Sequence, residues 1–234
     1  MGNKTRIQTA GLIRHVMARG NGRMQIFLDD VDYRLFIFLL GEVIEEYDLE
    51  CWNYCLMPNH YHATIRPTRP NLSDAIRLLN SKYAQAWNRR HKRVGHVFQG
   101  RFKDQIVQND SYLAALCRYI ALNPVRAALV EKPEDWPWSS YAAICGLKEA
   151  PPFLAADSTL RQFGDADADT LRARFSQFVL RTPQDEEPYD RIRSNERILG
   201  DRAFKISVRA GHLQTAPMRP IRMAGSPVSQ SDAG

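Results

Sequence analysis

The chain has 234 residues, of which 44% are hydrophobic and 25% are charged, so it is long enough to bury the core of one domain with an additional segment. Its apolar runs are short and interrupted by charges, which excludes a membrane-spanning helix, and the opening MGNKTRIQTA lacks the apolar segment of a secretory signal. We therefore expect a soluble, cytoplasmic protein whose four cysteines stay reduced.

The net charge of +6 is unevenly distributed along the chain. Residues 29–50 contain eight Asp or Glu and one Arg, whereas residues 66–103 contain ten Lys or Arg and one Asp. Scattered cations are typical of an ordinary solvated surface, but segregation of this strength favours a polyanion as the binding partner.

The secondary structure can be predicted from periodicity and from capping residues. The stripe Leu72, Ile76, Leu79, Tyr83 and Trp87 has the helical period, and the Pro-Asn turn between two short β-rich runs indicates a hairpin. The predicted order is a strand at residues 11–20, a helix at 31–47 capped by Asp29 or Asp30, strands at 49–56 and 60–66, a helix at 72–90, a strand within 96–108 and a helix at 111–122.

This order predicts an α+β fold of the ferredoxin-like split βαβ type, with helices on one face of an antiparallel sheet and the other face free for a ligand. The composition changes after Trp136, and residues 171–180 suggest a further helix. We predict a catalytic domain at residues 1–146, a C-terminal helical extension at 147–214 and a disordered Pro-, Ser- and Gly-rich tail at 215–234.

Two histidines follow the hairpin turn in CLMPNHYHATI, residues 55–65. Because side chains alternate across a strand, His60 and His62 share one face while Tyr61 points to the other. Two imidazoles on one face suit a divalent metal ion. A chance pair of this spacing arises about one time in seven for this histidine content, so the pair alone is a weak motif.

The third helix carries a second pair of polar residues, Tyr119 and Asn123, which are four positions apart and therefore on one face. A tyrosine hydroxyl and an amide oxygen at this spacing can approach the same point, as a nucleophile and a metal ligand. The alternative is equally compatible with the sequence: Tyr119 is a half-buried aromatic residue, and Asn123 ends the helix before Pro124.

Five strings extend the evidence beyond these pairs: HVMARGNGRMQIFLDD, YCLMPNHYHATI, RVGHVFQGRFK, RYIALNPVRAALV and PEDWPWSSYAA. In this order and spacing they resemble the REP-associated tyrosine transposases, single-tyrosine members of the HUH endonuclease superfamily. The resemblance covers about residues 5–146. It implies the ferredoxin-like fold, a nucleophile at Tyr119, and a metal site of His60, His62 and Asn123.

The resemblance further implies a metal-dependent enzyme that nicks and rejoins single-stranded DNA near hairpins through a 5′-phosphotyrosine link. The resemblance implies Mg²⁺ or Mn²⁺ as the metal, and two nitrogen ligands suit Mn²⁺ better. A monomer and a homodimer are both compatible with the sequence. The cations expected to contact single-stranded or hairpin DNA are Arg14, Arg19, Arg23, Arg89, Arg90, Lys92, Arg93, Arg101 and Lys103.

Two other classes of protein are compatible with these residues. A metal-dependent phosphodiester hydrolase would activate water at the histidine pair and leave no covalent intermediate. A regulatory hairpin-DNA-binding module would bind tightly without nicking.

Overall fold

A five-stranded sheet forms the centre of the protein in the computed structural model, which describes residue 7 and residues 9–109, 111–181, 192 and 196–211. Its strands, in chain order, are β1 (Ile13–Arg19), β2 (Leu49–Met57), β3 (His60–Pro67), β4 (Lys103–Val107) and β5 (Ile198–Leu199). Their order across the sheet is β2-β3-β1-β4-β5, and every pair is antiparallel except β4 with β5.

The α-helices within the described residues are α1 (Asp30–Glu46), α2 (Leu72–Arg90), α3 (Ser111–Ala121), α4 (Asn123–Arg126), α5 (Tyr141–Ile144), α6 (Ala156–Leu160), α7 (Ala168–Leu180) and α8 (Arg202–Ala210). None of the helices in these ranges has the length and apolarity needed to cross a lipid bilayer.

Local signals placed the first two helices correctly. Asp29 is the N-cap of α1, and its carboxylate accepts from the backbone N–H groups of Val31 and Asp32. Helix α2 has the predicted bounds, and its stripe of five apolar residues is buried. Both helices pack on the sheet face that carries Tyr61, whose ring contacts Phe36 and whose hydroxyl donates to Asn80.

The α+β class and the ferredoxin-like order are confirmed, but the two faces of the sheet differ from the expectation. The face carrying the histidines is covered by α3. Asn53 of β2 lies on this face, and it donates a hydrogen bond to the sulfur of Cys117 on α3 at 3.0 Å. The predicted fourth strand is confined to β4, since residues 98–102 contain bends and a single β-bridge from Phe98 to Gly20.

The C-terminal extension packs directly on the sheet. Ala155 donates its N–H to the Cys51 carbonyl at 2.8 Å, and the Thr159 hydroxyl donates to the Trp52 carbonyl at 2.6 Å. Further along the chain, β5 adds a parallel strand to β4 and makes the sheet mixed. The boundary at residue 146 remains a prediction, and the tail at 215–234 lies outside the described residues.

Candidate functional site

The candidate site lies on the α3-covered face, where β1 and β3 pair. Their register sets His62 opposite Met17 and His60 opposite Arg19. The two imidazoles share this face as the alternation predicted, with ring centroids 4.9 Å apart and planes at 86°. The two rings are therefore neighbours and nearly perpendicular to each other.

His60 lies at the partly exposed edge of the site. Asn59 donates its amide N–H to the Arg23 carbonyl at 3.2 Å, which turns its Oδ1 toward His60 Nδ1 at 2.6 Å. Because Oδ1 can only accept, His60 Nδ1 carries the proton. The Nε2 lone pair of His60 is then available to a metal ion.

His62 is buried, with 1% of its surface exposed. Its Nδ1 lies 2.8 Å from His15 Nε2, and the two rings are stacked with centroids 5.0 Å apart. Its Nε2 is buried without a hydrogen-bond partner. A buried polar atom without a partner is costly, and a bound metal ion would satisfy it.

Burial keeps this histidine cluster neutral. Desolvation lowers the pKa of His15 and of His60 to about 4 each, and the positive charge of Arg19 adds to the effect on His60. Desolvation, together with His15, His60 and Arg19, lowers the pKa of His62 well below its ordinary value. Neutral imidazoles with free lone pairs are the form that binds a metal ion.

Helix α3 brings Tyr119 to the histidines. The Tyr119 ring stands edge-on to His62, with centroids 5.5 Å apart and planes at 86°, and its centroid lies 6.3 Å from that of His15. The Arg126 guanidinium lies 5.7 Å from the Tyr119 ring centroid. Tyr119 is half-buried, so the residue packs against the sheet and is also accessible from solvent.

Two contacts fix α3 in place. On the sheet side, Asn53 bonds Cys117 and accepts from the Thr64 hydroxyl at 2.7 Å. On the opposite side, the buried Arg118 donates to the Phe178 carbonyl of α7 at 2.8 Å and its guanidinium lies 3.9 Å from the Phe178 ring. The C-terminal extension therefore helps to position the residue next to Tyr119.

Asn123 begins α4, one turn after Tyr119. Its Nδ2 donates to the Tyr119 carbonyl at 2.9 Å, which leaves the amide oxygen as the atom able to bind a metal ion. The sequence suggested that the helix ends at Asn123, before Pro124. In the structure Pro124 lies in the first turn of the next helix, α4, where a proline is well tolerated.

Two of the nine predicted DNA-contacting cations serve the fold instead. Arg14 is buried at 2% exposure and pairs with Asp104 at 2.8 Å, so its assignment to a DNA surface is wrong. Arg90 remains exposed, but it pairs with Asp29 at 2.6 Å and Asp32 at 2.7 Å, so two carboxylates compensate its charge. Sequence alone could not foresee either pairing, since the partners are about 60 to 90 residues distant.

Seven predicted cations are exposed, and they cluster at one end of the sheet, here called the basic end. Arg19 lies opposite His60 in the register of β1 with β3, and its backbone carbonyl accepts from the N–H of Gln99 in the loop before β4. Asn88 of α2 donates to the carbonyl of Gly95 in the same loop. The ends of β1 and α2 thereby meet the loop before β4. The basic end consists of Arg19, Arg23, Arg89, Lys92, Arg93, Arg101 and Lys103.

The sequence interpretation missed His15 and Gln105. His15 belongs to the quoted string HVMARGNG, and alternation along β1 could have placed it on one face with Met17. Its contact with His62 depends on the register of β1 with β3, and its 2.8 Å contact with Gln105 depends on the register with β4. Within the described residues, no three His, Cys, Asp or Glu form a metal cluster.

Residues 8–123 match the model of a family described as transposase IS200 like. A Haemophilus influenzae protein assigned as a REP-associated tyrosine transposase is 29% identical over 135 residues, which is 53% of this chain and 77% of that protein.

Two solved structures are also similar. One is a REP-associated tyrosine transposase bound to a REP hairpin, with a TM-score of 0.55, 20% identity, and coverage of 66% of this chain and 92% of that one; this likeness shows a common fold. The other is a Deinococcus radiodurans protein assigned as a transposase, with a TM-score of 0.36, 17% identity, and coverage of 55% and 92%.

Proposed function

Residues 8–123 belong to the IS200-like transposase family, and from this premise we propose that the chain is a metal-dependent enzyme that nicks and rejoins single-stranded DNA beside hairpins. The proposal assigns Tyr119 as the nucleophile and His60, His62 and Asn123 as the metal ligands. The catalytic domain is proposed to be residues 1–146, with the extension at 147–214 supporting it, and the protein is proposed to act in the cytoplasm.

The observation that carries the proposal is the position of Tyr119 beside the histidine pair. Its ring meets His62 edge-on at 5.5 Å, and the neighbouring His60 and His62 each keep an Nε2 without a hydrogen-bond partner among the contacts of the site. A half-buried tyrosine serving only the core would need no such neighbours. A nucleophile next to a phosphate-binding cation does.

The side chains suit a divalent cation in number and chemistry. Two neutral imidazole nitrogens and one amide oxygen leave positions open for phosphate oxygens, and the nitrogen pair favours Mn²⁺ over Mg²⁺. When bound, such a cation neutralises the phosphodiester charge and polarises phosphorus for attack.

The chemical step proposed for Tyr119 is an in-line displacement at phosphorus. The phenol loses its proton, its oxygen forms a bond to phosphorus, and the bond from phosphorus to the 3′ oxygen breaks. The departing oxygen takes up a proton and becomes a free 3′-hydroxyl, while the 5′-phosphate remains on the tyrosine. The phosphotyrosine bond retains the energy for rejoining, so no nucleotide triphosphate is consumed.

Hairpin DNA is the proposed substrate. The solved relative of similar fold is bound to a REP hairpin, and the basic end of this chain provides seven exposed cations beside His60. Cations at this position can bind the phosphates that lead into the site. The acidic segment at residues 29–50 contributes Asp29 to an ion pair with Arg90.

The proposal is tested by incubating the full chain with single-stranded hairpins from the host genome's repeats and Mn²⁺. A covalent protein–DNA adduct that is absent from Tyr119→Phe is the expected result. Cleavage without an adduct in either protein would instead support a hydrolase. Tight binding without any cleavage would support a regulatory module.

A further inference from the structure

Gln105 of β4 connects the C-terminal extension to the histidine cluster. Its Nε2 donates to the Glu196 backbone carbonyl at 2.8 Å, and its Oε1 lies 2.8 Å from His15 Nδ1. A backbone carbonyl can only accept a hydrogen bond, so the NH₂ group of the amide has to face Glu196. The orientation of the Gln105 amide is therefore set by a residue 91 positions along the chain.

The amide orientation determines the proton positions on two imidazoles. Because Gln105 Oε1 accepts, His15 Nδ1 carries a proton and the Nε2 of neutral His15 is an acceptor. That Nε2 lies 2.8 Å from His62 Nδ1, which therefore donates. His62 then carries its only ring N–H proton on Nδ1, and its buried Nε2, which has no hydrogen-bond partner, keeps a bare lone pair.

The opposite tautomer is disfavoured at two places. A proton on His62 Nε2 would be buried without an acceptor, at a position where no hydrogen-bond partner exists. His15 would then have to donate from Nε2, which leaves its Nδ1 as an acceptor and turns the Gln105 amide over. The amide oxygen would face the Glu196 carbonyl oxygen at a distance suited only to a hydrogen bond.

We infer that the Glu196 carbonyl, Gln105 and His15 form a positioning relay that fixes the tautomer of His62 and holds its Nε2 open for a divalent cation. The part concerning the cation rests on the proposed function. His60 uses a shorter version of the same device, in which the Arg23 carbonyl orients Asn59. The inference gives the C-terminal extension a role in the chemistry of the site.

The relay makes Gln105 and His15 positioning residues, since neither has a free nitrogen directed at the site. Ordering of the ligand by a hydrogen-bonded partner typically changes metal affinity by about 10- to 100-fold. Gln108 provides a matched control, because it also ties β4 to the extension. Its Nε2 donates to Asp201 at 2.9 Å and its Oε1 accepts from the Asp201 N–H at 2.7 Å, and its side chain forms no hydrogen bond with His15 or His62.

The first test measures the tautomers directly in the metal-free, full-length protein. Long-range ¹H–¹⁵N correlation spectra of ¹⁵N-histidine-labelled protein distinguish Nδ1-protonated from Nε2-protonated imidazole. Nδ1-protonated His15 and His62 are expected. A wild-type His62 protonated on Nε2 would overturn the inference without any variant having to fold.

The second test compares Gln105→Met with Gln108→Met in the same spectra and in Mn²⁺ titrations. Gln105→Met should give mixed tautomers at His15 and His62 and weaken Mn²⁺ binding by about tenfold. Gln108→Met should leave both readouts as in the wild type. Unchanged tautomers in Gln105→Met, or an equal loss in both variants, would contradict the relay.

The relay and the proposed function can fail separately. A wild-type protein that forms no DNA adduct with Mn²⁺ would refute the proposed activity, whereas the tautomers would still decide the relay. The reverse outcome is also possible: the wild type forms the DNA adduct, but its His62 is protonated on Nε2 in the metal-free state. That result would support the activity and refute the relay.

Discussion

The ring of Tyr119 meets the ring of His62 edge-on, with centroids 5.5 Å apart. One residue is on a helix and the other on a strand, and the two are brought together because Asn53 and Arg118 hold α3 between the sheet and α7. The contact joins the proposed nucleophile and a proposed metal ligand in one rigid unit. Separate substitutions can therefore distinguish chemistry, metal binding and stability.

Tyr119→Phe removes one oxygen and keeps the ring that packs against His62. We expect loss of the DNA adduct by at least about a thousandfold, with unchanged melting temperature, Mn²⁺ affinity and hairpin affinity. Adduct formation is measured by denaturing gel, and Tyr112→Phe, on the same helix, is the matched control. Nicking by Tyr119→Phe at a wild-type rate would mean that water is the nucleophile.

Substitutions of the proposed ligands should act through metal affinity. The double substitution His60→Ala, His62→Ala should abolish Mn²⁺ binding and nicking, because it removes both nitrogen ligands. Asn123→Ala should retain nicking but require about tenfold more Mn²⁺, since both imidazoles remain. Nicking is measured across a Mn²⁺ titration. Failure of high Mn²⁺ to restore Asn123→Ala would argue against a ligand role for Asn123.

Exposed cations of the basic end should control the salt dependence of DNA binding. Replacing Arg89, Lys92 and Arg93 by Ala should reduce the slope of log affinity against log salt by about two to three, because each phosphate contact contributes about 0.7 to 0.9. Arg34, Arg69 and Arg161 are exposed outside the basic end and provide a charge-matched control. Equal slopes for the two triple variants would refute this surface.

Arg14 should behave as a stability residue. Its side chain and that of Asp104 are 3% and 9% exposed, and the two pair at 2.8 Å. Arg14→Met leaves a carboxylate buried without this partner, so we expect a loss of about 3 kcal/mol in unfolding free energy. Denaturant unfolding measures the loss. A stable variant with a reduced salt slope would return Arg14 to the DNA surface.

Stability should fall in mild acid because the histidine cluster is buried neutral. The pKa values of His15 and His60 are lowered to about 4 from 6.5, and that of His62 is also lowered. Between these values the unfolded chain binds protons that the folded protein does not. The stabilisation is therefore complete above pH 6.5 and is lost as the pH falls toward 4.

Melting curves of the metal-free protein from pH 7.5 to about 4 test this expectation. The hydrogen bond with Arg90 lowers the pKa of the Asp29 carboxylate from 3.8, so the stability that this carboxylate contributes is lost only in more acidic solution. Asp29 therefore does not contribute to the loss expected between pH 6.5 and about 4. A flat profile for the wild type over this range would contradict the buried, neutral cluster.

The sequence by itself determined the features that depend on near neighbours. The cap at Asp29 and the apolar stripe of α2 act within one or a few helical turns, so the helices followed from periodicity. Alternation along one strand placed His60 and His62 on a common face, and the four-residue spacing related Tyr119, near the end of α3, to Asn123 at the start of α4. Each of these relationships is fixed by local backbone geometry.

Only the tertiary structure decided which distant residues complete the site. His15 and His62 are 47 residues apart, and Gln105 is 90 residues from His15; they meet because β1 pairs with β3 and β4 in one register. The same pairing buries Arg14 against Asp104 and removes its charge from the surface proposed to bind DNA. Strand register and helix docking result from the packing of the whole core, which a local pattern does not encode.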